Sequence, residues 1–169
     1  GLRMTHEDIA PNLWTNADEV PANGIDDDGN GVIDDVHGFD AIDGGGDPSD
    51  EDGHGTHVAG TVGAAGNNAT GVTGVAWQVQ LMPVRFLGDN GGFLSDAIEG
   101  IAYAQNNGAT ILNNSWGGGG FSTALRDAIA DLAADDILFV AAAGNDGLDA
   151  DVTPGYPAAY DLPHIVSVA

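Results

Sequence analysis

The sequence predicts a layered α/β domain built on a mostly parallel sheet. Apolar segments of strand length alternate with segments whose apolar residues repeat at helical spacing. Alternation of this kind implies right-handed crossovers and a parallel sheet that is covered on both faces. Glycine-rich polar segments follow two of the strands, and ligands of such sheets bind beyond the carboxyl ends of the strands. The sequence therefore also predicts a binding crevice at that edge.

The first half of the chain is predicted to be mostly irregular. Residues 1–30 are interrupted by proline, asparagine and glycine, so we expect loops and at most a short helix there. Residues 54–62 combine small and apolar side chains and predict a helix buried among strands. Residues 80–86 predict a strand, and Pro83 within them favours an edge position.

The second half shows regular periodicity. Residues 94–105 predict a helix that Ser95 caps and Gly108 ends, and Ser122 opens a second helix with apolar residues on one face. Strands are predicted at residues 109–113, 137–143 and 165–168. The middle strand is continuously apolar, which is typical of burial on both faces. We find no repeat and no linker, so residues 1–169 are expected to belong to one domain.

Composition excludes several classes of function. The chain has 26 acidic residues against three arginines, which leaves a net charge of -23. Nucleic acid is excluded as a partner because phosphates require a basic surface, whereas an acidic surface suits cation binding. No apolar run approaches the roughly 18 residues of a membrane helix, so we expect no membrane span. The absence of cysteine fits a secreted protein and a cytosolic protein equally well.

The densest acidic stretch, residues 23–35, predicts a calcium loop. Its alternating oxygen side chains and the following glycine match the first part of the EF-hand spacing; the matching residues are Asp26, Asp28, Asn30 and Gly31. His37 stands where a bidentate glutamate should close the loop, so Asp34 or Asp35 would have to replace it. The alternative is an Asp-Gly turn that binds no metal.

His54 is the candidate catalytic group. Glycine on both sides leaves its imidazole uncrowded and lets a peptide backbone approach it. His57 could form a zinc pair with His54, but the glutamate and the i+4 spacing of the common helical zinc motif are missing. We therefore expect His57 to be a hydrogen-bonded core histidine.

Three motifs occur in order along the chain: His54-Gly55-Thr56-His57-Val58-Ala59-Gly60, Asn113-Asn114-Ser115-Trp116-Gly117-Gly118 and Ala141-Ala142-Ala143-Gly144-Asn145. Together they resemble the subtilisin-like serine proteases, and the resemblance covers residues 1–169. It implies a three-layer subtilisin-like fold that is incomplete at both ends. The family's catalytic aspartate would lie two residues before Gly1 and its catalytic serine downstream of Ala169. The chain alone is therefore expected to be inactive.

The resemblance also implies roles for individual residues. His54 would be the general base, and the side-chain amide of Asn145 would donate to the oxyanion. The substrate would pair with two extended segments, Gly91-Gly92-Phe93 and Ser115-Trp116-Gly117. Ala142, Ala143 and Gly144 would form a wall of the S1 pocket, and Gly155 and Tyr156 its floor. Trp116 stands where many relatives have a smaller residue, so the preference of the pocket stays open.

A second calcium site is implied by the resemblance. Residues 67–72 resemble a loop that holds calcium in subtilisins, although this loop is one residue longer than the common pattern. Its ligands would be the side chain of Asn68, the carbonyls of Thr70 and Val72, and the carboxylate of Asp8. Two of the other motifs also have purely structural alternatives. Residues 117–120 could be a flexible loop, and Asn145 could cap a turn.

The expected parent protein is a secreted, monomeric serine endopeptidase that cuts polypeptides through an acyl-enzyme. The first alternative is a non-catalytic pseudoprotease or calcium-stabilised binding module, which the sequence flanking this chain would reveal. The second alternative is a zinc hydrolase built on His54 and His57, which predicts stoichiometric zinc.

Overall fold

The computed structural model describes residues 1–88 and 91–169. The chain divides into two compact units, Gly1–Gly100 and Ile101–Ala169, which are described in turn. The elements of the first unit are a short 3-10 helix and two strands on either side of a helix; their bounds are Ala10–Asn12, β1 Phe39–Asp40, α1 His54–Gly63 and β2 Val84–Arg85. Helix α2, Leu94–Asn106, continues from the first unit into the second. The expectation of loops and one short helix before residue 30 is confirmed.

β1 and β2 form a parallel pair that aligns Phe39 with Val84. The strand predicted over residues 80–86 is only two residues long. Pro83 precedes it and cannot donate to a ladder, but its carbonyl accepts from the Phe39 N–H at 3.1 Å. Gly38 is required beside it, because a Cβ at that position would lie 2.1 Å from the Pro83 carbonyl oxygen.

The burial of α1 corrects the sequence prediction. Only Gly60 and Gly63 are buried in this helix, whereas His57 and Thr61 are exposed. The packed face consists of glycine because neighbouring side chains approach the backbone closely. A Cβ on Gly63 would lie 2.5 Å from Val79 Cγ1. α1 is therefore a surface helix with a glycine packing stripe in the part of the chain that is described.

The second unit is a parallel α/β arrangement. It consists of β3 Ile111–Asn114, α3 Thr123–Asp131, a 3-10 turn Leu132–Asp135, β4 Leu138–Ala142 and β5 Ile165–Val168. The three strands form one parallel sheet in the order β3-β4-β5. The predicted α/β class with mostly parallel strands is confirmed, although the described strands belong to two separate sheets.

β4 is less buried than its sequence suggests. Phe139 and Ala141 are fully buried, whereas Leu138 and Val140 are half-buried and Ala142 is exposed. Successive side chains of a strand point to opposite faces, so one face of β4 lies in the core and the other is only partly covered. The prediction of complete burial on both faces is wrong for this chain.

The structure confirms one of the two predicted helix caps and contradicts the other. Ser122 is the N-cap of α3, and its side chain accepts from the Leu125 N–H at 3.3 Å. Ser95 lies inside the first turn of α2, where its hydroxyl donates to Asp96 at 2.9 Å. The Phe93 carbonyl accepts the first helical N–H bonds of α2 instead. The prediction of Ser95 as the cap is therefore wrong.

No helix within residues 1–88 or 91–169 is long and apolar enough to cross a membrane.

Candidate active site

His54 is the first residue of α1, and its side chain is exposed. The preceding Gly53 is the N-cap and has a φ of 98°, a left-handed conformation that glycine adopts without steric cost. The loop therefore turns sharply into the helix at the position where the sequence places glycine. The imidazole lies at the start of the helix and is accessible.

Asp50 holds this helix start in place. Its carboxylate accepts hydrogen bonds from the Gly53 N–H and the Thr56 N–H, both at 2.9 Å, and from the Thr56 hydroxyl. Partial burial raises the pKa of Asp50, but these hydrogen bonds outweigh it and lower the pKa to about 2. Sequence reasoning missed this residue, although an aspartate just before a helix is a common capping signal.

The beginning of the chain lies against the same helix start. The Arg3 N–H donates to the Thr56 hydroxyl at 2.9 Å. A Cβ on Gly55 would lie 2.0 Å from the Gly1 carbonyl oxygen, so only glycine fits there. Gly1 is therefore next to the residue that follows His54.

In the second unit, two polar loops leave the same edge of the sheet. β3 and β4 are parallel neighbours, and Asn114 is aligned with Ala141. Ser115 follows β3, while Gly144 and the exposed Asn145 follow β4. The carboxyl ends of parallel strands meet at one edge, which is where the sequence predicted the crevice.

The predicted pocket wall and pocket floor are close to each other. A Cβ on Gly155 would lie 3.7 Å from the Ala143 carbonyl oxygen. Tyr156 pairs with Gly119 through an antiparallel bridge, and a Cβ on Gly117 would lie 3.4 Å from the Tyr156 carbonyl oxygen. The structure therefore brings together the segments at residues 115–117, 142–144 and 155–156.

Side-chain contacts order the loop that follows β3. The Trp116 indole N–H donates to Asn114 at 3.0 Å, and the Asn113 amide donates to the Ser115 hydroxyl at 3.0 Å. These bonds fix residues 113–116 and do not reach residues 117–120, for which a flexible loop was the alternative. Residues 117–120 are exposed, and the bridge from Gly119 to Tyr156 restrains them.

The remaining predicted substrate segment lies in the first unit. Gly88 and Gly91 exchange two backbone hydrogen bonds, at 3.0 and 2.9 Å. A Cβ on Gly92 would lie 2.0 Å from the Phe86 carbonyl oxygen, so the chain requires glycine at that position. Phe93 is 77% exposed. This segment presents a large apolar side chain to solvent immediately before α2.

Asp8 gathers the second set of predicted calcium ligands. It is fully buried and accepts from the Asn68 side chain and from the Val72 N–H, both at 2.8 Å. The bond from Asn68, followed by that from Val72, lowers the pKa of Asp8. The Asn68 amide oxygen accepts from the Thr70 N–H at 3.1 Å. Carboxylate, amide and carbonyl oxygens are ligands that calcium prefers. The side chain of Asn68 donates its amide N–H to Asp8, so the amide would have to rotate before its oxygen could bind the ion.

The acidic loop is arranged differently from an EF-hand. The carboxylates of Asp26 and Asp28 lie near each other, and the third group with them is Glu19, which the spacing argument missed. Asp34 accepts from the Asn23 and Gly24 N–H groups, both at 3.0 Å, so it closes a turn. Asn30 donates its side-chain amide to Asp28 and to Asp35. In the sequence, the only sign that Glu19 belongs to this cluster is the high density of acidic residues at positions 18–28.

The prediction that His57 is a core histidine is wrong, because this residue is exposed. It borders a cavity of about 520 Å³ beside α1, together with Asp8, Thr56 and Val72. Gly60, three residues further along α1, lines the same cavity. His54 does not line this cavity, so we do not assign the cavity to substrate.

The parallel sheet, with glycine-rich loops at its carboxyl edge, defines an α/β protein with polar loops at the ends of its strands. The comparison with protein families makes this class specific, because the model of the subtilase family matches residues 1–169. The chain belongs to the subtilase family, which confirms the resemblance drawn from the three motifs.

Individual relatives agree with the family. The chain is 49% identical over 115 residues to subtilisin DY of Bacillus licheniformis, which covers 67% of the chain and 42% of that protein. It is 37% identical over 147 residues to subtilisin-like protease 1 of Plasmodium berghei, which covers 86% of the chain and 24% of that protein. A solved protease of Pseudoalteromonas arctica aligns over the whole chain and 53% of its own length, with 30% identity and a TM-score of 0.73. The chain thus spans about half, or less, of the proteins it matches.

Proposed function

We propose that the protein containing this chain is a secreted, monomeric serine endopeptidase of the subtilisin class. Membership of the subtilase family over residues 1–169 is the observation that carries this proposal. The exposed His54 at the clamped start of α1 supports it. The acidic surface and the absence of cysteine are compatible with secretion.

His54 is proposed as the general base. It takes the proton from a serine hydroxyl while the serine oxygen attacks the scissile carbonyl carbon. When the C–N bond breaks, His54 returns that proton to the leaving amine, and water then hydrolyses the acyl-enzyme. We propose that the serine and the orienting aspartate come from outside this chain, which alone is inactive. The contact between Gly1 and Gly55 supports entry of the aspartate segment beside His54.

The second unit is proposed to bind the substrate and its oxyanion. The amide of Asn145 donates to the negative oxygen of the tetrahedral intermediate. The backbone of residues 115–117 adds the substrate as a strand. Residues 91–93, which belong to the first unit, are proposed as a second substrate-pairing segment. Residues 142–144 and 155–156 form the S1 pocket, which the contact between Gly155 and Ala143 supports. The substrate class is polypeptide.

Structural calcium at the Asp8 loop is part of this proposal. Asp8 is fully buried and already bonds Asn68 and Val72, which are 60 and 64 positions away in the chain, so a cation there would stabilise this loop. The chemistry of cleavage does not pass through it.

Replacing His54 in the full-length protein tests the catalytic role. We expect His54→Ala to lower kcat on a chromogenic peptide by at least about 10²-fold, because general acid-base catalysis is removed. The matched control is His57→Ala, an exposed histidine on the same helix, which should keep wild-type activity. Retained activity in His54→Ala would contradict the proposal. Loss in both variants, together with inhibition by a zinc-selective chelator, would favour the zinc hydrolase.

The alternative is a calcium-stabilised pseudoprotease, which the acidic groups around Glu19 favour independently of catalysis. It predicts that the full-length protein is not labelled by a serine-directed inhibitor and does not cleave peptides. Labelling of one serine in a protein with an intact His54 would dismiss it.

A further inference from the structure

We propose that Glu19, Asp26 and Asp28 bind a calcium ion, with Glu19 supplied from outside the acidic loop. The three residues each offer a carboxylate oxygen, and these oxygens all lie within 4.8 Å of one another. Calcium takes oxygen ligands at about 2.3–2.6 Å, so two oxygens on opposite sides of one ion are about 4.6–5.2 Å apart. The spacing of the cluster is therefore within the span of one ion.

Glu19 provides the independent sign of a ligand. Its residue is only 6% exposed. Oε1 accepts from the Asp27 and Asp28 N–H groups at 2.8 and 3.2 Å. Oε2 is buried, and no hydrogen-bond donor reaches it within the described residues. Leaving a buried carboxylate oxygen without a partner is costly, and a bound cation would remove that cost.

The other two carboxylates are held in position by donors around them. Asp26 accepts from the backbone N–H groups of Gly29, Asn30 and Gly31 at 2.8 to 3.1 Å. Asp28 accepts from the side chains of Asn16 and Asn30 at 2.9 and 3.0 Å. Burial raises the pKa of Asp28, but the bonds from Asn16 and Asn30 outweigh it and lower the pKa. Hydrogen bonds therefore hold the carboxylates of Asp26 and Asp28 in place.

The chain offers this cluster no cation of its own nearby in sequence. No lysine or arginine occurs between Arg3 and Arg85. In the described residues, the ion pairs of Arg85 go to Asp40 and Glu51, and that of Arg126 goes to Asp127. Three neighbouring carboxylates repel each other unless a positive charge joins them. A divalent ion would supply that charge and tie residue 19 to the loop.

This ligand set differs from the one that spacing alone predicts. Asp34 does not belong to the cluster of Glu19, Asp26 and Asp28, and its carboxylate accepts from the N–H groups of Asn23 and Gly24. The two variants Glu19→Gln and Asp34→Asn therefore distinguish the arrangements. The site is independent of the proposed protease activity, because its readouts are binding and stability.

The experiment uses the full-length protein and two measurements. Calorimetric titration with Ca²⁺, and with Mg²⁺ in a parallel arm, gives the number of sites and their Kd, and thermal unfolding in EGTA and in Ca²⁺ gives the Tm shift. We expect Glu19→Gln to lose one calcium equivalent, or to weaken it by at least about tenfold, since ligand charge sets affinity. Asp34→Asn should keep that equivalent and the full Tm shift.

Calcium-free conditions give a second, opposite expectation. Glutamine keeps an oxygen for the Asp27 N–H, places an amide donor where Oε2 stands and removes one of three neighbouring carboxylate charges. Glu19→Gln should therefore have a higher Tm than the wild type in EGTA and a lower one in saturating Ca²⁺. A Tm that is lower by the same amount in both media would show a purely structural role and overturn the proposal.

Asp28→Asn covers the case in which Glu19→Gln does not fold. Asp28 is exposed, so this variant should fold and lose the same equivalent. The proposal is overturned if Glu19→Gln or Asp28→Asn binds calcium as the wild type does, if Asp34→Asn alone loses the equivalent, or if the wild type prefers Mg²⁺. An inactive protein that still loses one equivalent in Glu19→Gln would contradict the protease proposal and leave this site supported.

Discussion

Asp50 shows how one side chain outside a helix can hold the start of that helix in place. Its carboxylate accepts from Gly53 and Thr56, on either side of His54 and Gly55. The first N–H groups of a helix have no intrahelical partner, and a carboxylate there also interacts favourably with the helix dipole. Asp50 is therefore a positioning residue for the start of α1.

Acidification should reveal this contribution. The pKa of Asp50 is lowered to about 2 in the folded protein, so its stabilisation is complete above the unfolded pKa of about 4 and is lost as the pH falls towards 2. We expect Asp50→Asn to reduce the free energy of unfolding by about 1 to 2 kcal/mol at pH 6, with the difference disappearing near pH 2. Urea denaturation across this range measures it.

Asp43→Asn is the control, because Asp43 is exposed and lies, like Asp50, in the glycine-rich segment 43–53 that precedes α1. It should leave the free energy of unfolding nearly unchanged at every pH. An Asp50→Asn deficit that stayed constant from pH 6 to pH 2 would rule out the ionised carboxylate as its source.

At the scale of elements, the two serines near helix starts demonstrate why capping depends on where a helix begins. Ser122 precedes the first helical residue of α3, so its oxygen reaches the Leu125 N–H. Ser95 lies one residue inside α2, and its hydroxyl bonds the neighbouring Asp96 instead. The same residue type stabilises a helix at the N-cap and is slightly unfavourable inside it.

Substituting each serine by alanine should give opposite results. We expect Ser122→Ala to destabilise the protein by about 1 kcal/mol, since an orphan N–H loses its acceptor. Ser95→Ala should be neutral or stabilising by up to about 0.5 kcal/mol, because alanine has the higher helix propensity. Chemical denaturation of both variants measures the difference, and equal losses would contradict the assigned caps.

At the scale of the whole molecule, the dominant property is the charge of -23. With 26 acids and three arginines, most carboxylates have no cationic side chain to pair with, and the repulsion between them opposes the compact state. Hydrogen bonds from backbone N–H groups to Asp26, Asp34 and Asp50 relieve part of it locally. The remainder must be screened by salt or neutralised by bound cations.

Stability should therefore rise with ionic strength. Raising NaCl from about 0.01 M to about 0.15 M shortens the Debye length from about 30 Å to about 8 Å, which screens the repulsion between surface carboxylates. We expect a higher Tm at the higher salt concentration in EGTA, and a smaller salt effect when saturating Ca²⁺ is present. A Tm that is flat or falls with salt in EGTA would contradict net repulsion.

The sequence by itself determined the family, the α/β class and the order of the three motifs that carry the resemblance. These features depend on residue identity and spacing along the chain, as in the glycines around His54 and the polar residues that follow β3 and β4. The roles assigned to His54 and Asn145, and the activity itself, stay predictions. Most helix and strand positions were also predictable, because apolar periodicity reflects the period of each element.

Only the tertiary structure decided which distant groups meet and which faces are covered. Glu19 joins Asp26 and Asp28 across a turn, and no spacing rule within the acidic loop includes it. His57 is exposed, whereas the buried residues of α1 are Gly60 and Gly63, which sequence periodicity counts only as small residues. Asp34 is turned towards Asn23 and Gly24 by the local backbone. In each case the deciding contact joins residues that are separated along the chain, and hydrogen bonding and packing in three dimensions select it.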